Sequence, residues 1–243
     1  MANNIIYHSI QSEPLQRELT VNVYIPSGKG PFPVLYMHDG HNLFDLTTSS
    51  FNQIWQVQDA FNYDIIPIIV VGIDAPQDTR RLDELSPFAN SYSKGKGDLY
   101  LAEVLRVKAF IDKTYPTKPE RDYTGIMGSS MGGVISTAAL AKYNDVFSKF
   151  GLISSAYWID DRIFEYVEQS TIQPSKVYMD VGTKETGIKD PDDYLQTNHR
   201  MAQILKDKGL QVDYHVYDGA EHNEREWAVR LPYILRYLFG GKQ

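Results

Sequence analysis

The chain has 243 residues, of which 42% are hydrophobic and 23% charged, and carries a net charge of −7. These values suit one globular domain over residues 1–243 with a sizeable core, and an acidic balance without a basic stripe argues against a nucleic-acid partner. The absence of cysteine excludes disulfides, thiolate metal sites and cysteine nucleophiles.

Met1-Ala2-Asn3-Asn4 lacks the basic start of a secretory leader, and Ile5 to Tyr7 is too short for its apolar segment. No apolar run approaches the ~20 residues of a membrane span. A cytoplasmic protein with no membrane partner is expected.

Leu19, Val21, Val23 and Ile25 alternate with polar residues and predict a half-buried strand. Residues 26–31 form a turn rich in Pro and Gly. Val34 to Met37 is a short apolar strand, followed by His38-Asp39-Gly40-His41-Asn42. The all-apolar run within Ile65 to Ile73 predicts a strand buried on both faces, as in a parallel sheet. Asp98 to Asp112 has helical spacing, with Leu101, Val104, Leu105 and Phe110 on the apolar side.

The next segment is the most informative. A strand from Tyr123 to Met127 runs into Gly128-Ser129-Ser130-Met131-Gly132-Gly133 and then into a small-residue helix from Val134 to Ala141. Gly-x-Ser-x-Gly between a strand and a helix is the pattern of a nucleophile elbow. Its sharp turn pushes the central hydroxyl, here Ser130, out of the fold. Glycines at 128 and 132 leave room for that turn, and the helix start offers N–H groups to a developing oxyanion.

Downstream, strands at Phe150–Ser154, Val177–Val181 and Val212–Val216 alternate with helices at Asp160–Gln169, Tyr194–Lys208 and Glu224–Phe239. This alternation predicts an α/β fold, a mostly parallel central sheet with helices on both faces. Sites in such sheets lie at the carboxyl ends of the strands.

A serine hydroxyl needs a base, and the base needs an orienting acid. His222, in the loop after the last strand, is the expected base. His8 and His215 fall in strands, His199 falls on a helix, and His38 and His41 precede the elbow. The acid is expected after the strand ending at Val181. Glu185 is favoured over Asp190, Asp192 and Asp193, and Asp180 lies within the strand. The oxyanion donors are expected to be the N–H groups of Met131 and His41, with Gly40 as the near alternative. His38, Asp39 and His41 find no matching ligand set elsewhere, so no metal and no cofactor are expected. Phe44, Trp55, Tyr157 and Trp158 are candidate pocket aromatics, Trp55 and Trp158 foremost for substrate binding. Arg80, Arg81 and Glu84 are candidate polar lining.

With these residues in place, the chain resembles the putative esterase family of the α/β-hydrolase fold. That family includes enterochelin-type siderophore esterases, feruloyl and acetylxylan esterases and esterase D, with the mycolyltransferases more distant. The resemblance rests on His38-Asp39-Gly40-His41-Asn42-Leu43-Phe44-Asp45, Val70-Val71-Gly72-Ile73-Asp74 and Gly128-Ser129-Ser130-Met131-Gly132-Gly133. It rests also on Asp180-Val181-Gly182-Thr183-Lys184-Glu185 and on residues 221–227, Glu-His-Asn-Glu-Arg-Glu-Trp. It implies Ser130 as nucleophile, His222 as base, Glu185 as acid, and Gly40-His41 with Met131 at the oxyanion hole. Many relatives carry Gln where His41 stands here. The expected activity is carboxylic ester hydrolysis of a small-molecule ester through an acyl-enzyme. The alternatives are an acyltransferase using the same residues and a non-catalytic binding protein that keeps the fold.

Overall fold

The computed structural model describes residues 5–186 and 191–241. Eight strands form one sheet: β1 (Ile5–Ser12), β2 (Arg17–Tyr24), β3 (Val34–His38), β4 (Ile69–Ile73), β5 (Thr124–Ser129), β6 (Lys149–Ile153), β7 (Lys176–Lys184) and β8 (Gln211–Glu221). Their order is β1-β2-β4-β3-β5-β6-β7-β8. β1 and β2 pair antiparallel, as do β2 and β4, and every later pairing is parallel. This is the mostly parallel sheet expected of the α/β-hydrolase fold.

Among the described residues seven helices cover it: α1 (Val57–Ala60), α2 (Arg80–Leu85), α3 (Gly97–Thr114), α4 (Met131–Lys142), α5 (Arg162–Gln169), α6 (Pro191–Asp207) and α7 (Glu224–Phe239). Strand residues alternate between two apolar layers. Val34 and Tyr36 of β3 join a core with residues of α3, α4, α5 and α6, whereas Leu35 and Met37 join one with α1 and α7. Helices on both faces explain why β3, β4 and β5 are buried along their whole length.

β1 holds His8 as expected and is an edge strand whose Ile6 and Tyr7 stay exposed. One difference from the sequence reading bears on the site. β8 runs five residues beyond the expected end at Val216, up to Glu221, so His222 follows the strand directly.

The chain leaves β3 for β4 on one side and returns to β5 on the other. The order reverses there, which opens a crevice at the carboxyl ends of β3 and β5. The loop at Gly40 and the elbow at Ser130 both face it.

Candidate active site

Ser130 sits between β5 and α4 with φ 58° and ψ −121°, a conformation rare for a residue with a side chain. Such strain costs on the order of 1–3 kcal/mol and persists only where the surroundings enforce it. Here β6 enforces it. The Ser130 N–H donates to Ile153 O at 2.9 Å, and its carbonyl accepts from Gly133, Val134 and Ala156. A methyl on Gly128 would lie 2.7 Å from the Gly132 carbonyl carbon, so only glycine lets strand and helix approach this closely. The result is a half-buried hydroxyl aimed at a cavity of about 600 Å³ lined by Asp39, His41, Arg81, His222 and Glu224. A second hollow of about 310 Å³, with Met131, Trp158 and Tyr194, adjoins it and shares Arg81, Ser130 and His222.

His222 occupies the short gap between β8 and α7. Asn223 caps α7, its Oδ1 accepting from the Glu226 N–H at 3.0 Å. Lys184 of β7 pairs with Glu221 of β8, so the residues that follow, Glu185 and His222, leave the sheet side by side. His222 Nδ1 lies 2.5 Å from Glu185 Oε2. The Glu185 carboxylate is fully buried and also accepts the Gly182 N–H at 2.7 Å. Burial pushes its pKa up, but hydrogen bonds from His222, Ser154 and Gly182 outweigh burial and hold it below its ordinary value. Ionised Glu185 can only accept, so Nδ1 is the donor in this hydrogen bond. The His222 ring is packed between Trp227 and Tyr194, at centroid distances of 5.0 and 5.2 Å.

Opposite the elbow, Gly40-His41-Asn42 forms one helical turn after Asp39, which has φ 53°. A methyl on Gly40 would lie 2.6 Å from the Gly72 carbonyl carbon, so the loop presses directly on β4. Arg81 holds Asp39 through two hydrogen bonds of 2.6 and 2.8 Å. Burial raises the Asp39 pKa, but Arg81 overrides this and keeps it low. His38 turns away to Tyr100 and Ser136, and His41 Nε2 meets Ser50 Oγ at 3.0 Å. The three side chains diverge, and among the described residues no cluster of His, Asp and Glu is arranged to hold a metal ion.

The structure therefore brings Ser130, Met131, His41 and His222 to one crevice, with Glu185 buried behind His222 and Gly40 buried beneath its loop. Trp158 lines the smaller hollow. Trp55 does not reach either one. It is buried in the core and stacked on Trp227 at 5.5 Å, because its loop folds inward behind β3. Tyr157 is likewise core, bonded to Thr137, and Glu84 is held by Arg17. Arg80 pairs with Asp78 on the surface. Asp180 is buried against Arg230 and Tyr178. Asp190 lies outside the described residues. Sequence reasoning missed Tyr194, Trp227 and Ser154. Tyr194 opens a predicted helix and Trp227 follows His222 by five residues, so their positions carried the only available signal.

Among the described residues no helix is long and apolar enough to cross a membrane. Residues 12–238 match the family described as Putative esterase. The Uncharacterized protein YbbA of Bacillus subtilis (strain 168) is 30% identical over 238 residues, which cover 90% of this chain and 91% of that protein. The BES protein from Bacillus cereus shares the fold with a TM-score of 0.79 at 17% identity, over 98% of this chain and 96% of its own. The enterobactin esterase FES from Shigella flexneri does so with a TM-score of 0.78 at 18% identity, over 96% of this chain and 58% of that esterase. By the match along most of its length, this chain belongs to the Putative esterase family and is an enzyme that hydrolyses esters.

Proposed function

We propose that the chain is a serine carboxylic ester hydrolase working through an acyl-enzyme, with Ser130 as nucleophile, His222 as base and Glu185 as acid. The observation that carries this reading is the strained Ser130 turn opening on the same crevice as a His222–Glu185 hydrogen bond of 2.5 Å. Ser130 Oγ attacks the ester carbonyl while His222 Nε2 takes its proton. Glu185 stabilises the imidazolium that forms. The N–H groups of Met131 and His41 receive the oxyanion, with Gly40 as the neighbouring donor. His222 then protonates the leaving alcohol, and water repeats the sequence to free the acid.

Two hollows meeting at Ser130 suit an ester with a group on each side of the scissile bond. The Shigella relative is an enterobactin esterase by its title, so catecholate esters belong in a substrate panel beside aryl and acetyl-sugar esters.

The test is a fluorophosphonate probe with mapping of the labelled residue. Label on Ser130, lost in Ser130→Ala together with hydrolysis, is the expected result. Loss of a triad nucleophile costs on the order of a millionfold in turnover. Ser129→Ala, one residue away, should stay active. A Ser130→Ala protein retaining a few per cent of activity would overturn the reading.

A further inference from the structure

Glu224 opens α7 just after His222 and Asn223 and is buried, with 5% of its surface exposed. It lines the larger hollow together with Ser130 and His222. Its Oε1 accepts the Asn42 Nδ2–H at 3.1 Å, which ties the base side of the crevice to the turn that carries His41. That contact needs an acceptor oxygen and no charge, so a glutamine would serve it as well. The helix does not require this carboxylate either. Glu226, in the same first turn, meets the α7 dipole from a half-exposed position.

A buried carboxylate without a cation is costly. Arg81 is the only Lys or Arg that lines the hollow, and its guanidinium is committed to Asp39. Among the described residues Glu224 forms no ion pair. Burial, with Asp39 assisting, pushes its pKa up, and a cation beside it would reverse that push. The rings of Phe51 and Trp227 line the same hollow. Aromatic faces attract cations.

We propose that Glu224 is the specificity residue of the larger hollow and selects esters whose group there ends in an ammonium. The inference rests on the Ser130–His222–Glu185 reading and names a substrate class for that site. The ammonium donates to the carboxylate and neutralises it. An alkyl group of the same length leaves the charge buried and unpaired, and a hydroxyl supplies the hydrogen bond without the charge.

The experiment measures kcat and KM at neutral pH for two matched series. One is p-nitrophenyl hexanoate with its terminal hydroxy and amino analogues, the other pentyl benzoate with the same two analogues. They place the variable group on the acyl and on the alcohol side. In one series the amino analogue should exceed the alkyl ester in kcat/KM by about tenfold, the scale of one hydrogen bond to a charged group, and the gain should lie in KM. Acetylating the amine should abolish the gain, and the hydroxy analogue should fall between. Glu224→Gln should remove the tenfold ratio. A merely structural role would leave that ratio in place, because glutamine still accepts from Asn42. No ammonium preference in either series, a preference for the hydroxyl alone, or an ammonium preference that survives in Glu224→Gln would overturn the proposal. If the glutamine variant does not fold, the ratio between the amino and acetylated analogues in the unaltered protein decides the question. Fluorophosphonate labelling of Ser130 in the unaltered protein separates the two failures. An unlabelled Ser130 removes the triad reading and this inference with it. A labelled Ser130 without an ammonium preference removes this inference alone.

Discussion

Glu185 and His222 stand one residue beyond a paired position of neighbouring parallel strands, Lys184 on β7 and Glu221 on β8. That register brings two residues 37 apart in the chain into a 2.5 Å hydrogen bond. A shift of one residue in either strand would turn one of the two side chains to the other face of the sheet. The irregular pairing between Gly182 and Lys184 is therefore part of the site.

Glu185→Gln should lower kcat by about a hundredfold to ten-thousandfold, less than Ser130→Ala, because the serine, base and oxyanion donors persist. Denaturant melts at several pH values supply a second reading. The folded pKa of Glu185 lies below its ordinary value, so its contribution to stability is present above the unfolded carboxylate pKa. It is lost as pH falls through the folded one. The variant should lack that part of the acid slope. Unchanged kcat would show that His222 works without this acid.

Gly40→Ala should destabilise the protein by about 1–3 kcal/mol, the usual cost of overpacking. The added methyl would meet β4 backbone at Gly72 and the Asp74 side chain, at 2.6 and 2.7 Å. The loop must lift, which carries the His41 N–H out of place, so kcat should fall further than KM rises. Thermal melts and steady-state kinetics check both parts. A variant with wild-type melting and turnover would remove this loop from the proposed oxyanion hole.

Trp55 and Trp158 should separate cleanly. Trp55→Ala leaves a cavity behind Trp227 and should cost about 3–5 kcal/mol of stability. Trp158→Ala, at the smaller hollow and only partly packed on the core, should cost clearly less stability and raise KM for bulky aromatic esters by about tenfold, roughly the worth of a partly buried apolar contact. Equal stability losses would mean that Trp158 is core as well.

His38 should give the fold a pH dependence of its own. Burial lowers its pKa to about 4, Asp39 opposing and Arg81 assisting the shift. The unfolded imidazole takes up a proton near 6.5. Between those values the unfolded state binds more protons, so the contribution is complete above about pH 6.5 and is lost as pH falls toward about 4. Denaturation at pH 7 and pH 4 should show His38→Gln losing roughly 3 kcal/mol less than the unaltered protein over that interval. Parallel pH profiles for the two proteins would contradict the assignment.

Much of the site is written in local spacing. A strand, a glycine-flanked serine and a small-residue helix are contiguous at 124–142, so periodicity alone places Ser130 at a sharp turn. The alternation of strands and helices likewise specifies a parallel sheet and its active edge, since crossover geometry leaves few other arrangements. The choice among Glu185 and its acidic neighbours is of another kind. It depends on the β7–β8 register and on the Gly182 N–H, neither of which has a local signature. Trp55 and Trp158 have the same chemistry in the sequence, and only packing sends one behind Trp227 and the other to the crevice. The edge strand β1 was legible only as a strand around His8, because hydrogen bonds to β2, more than an apolar face, hold it in place. Ser154 looks like any serine after a strand. Its contacts come from α7 and β7, brought in by the closing of the whole sheet.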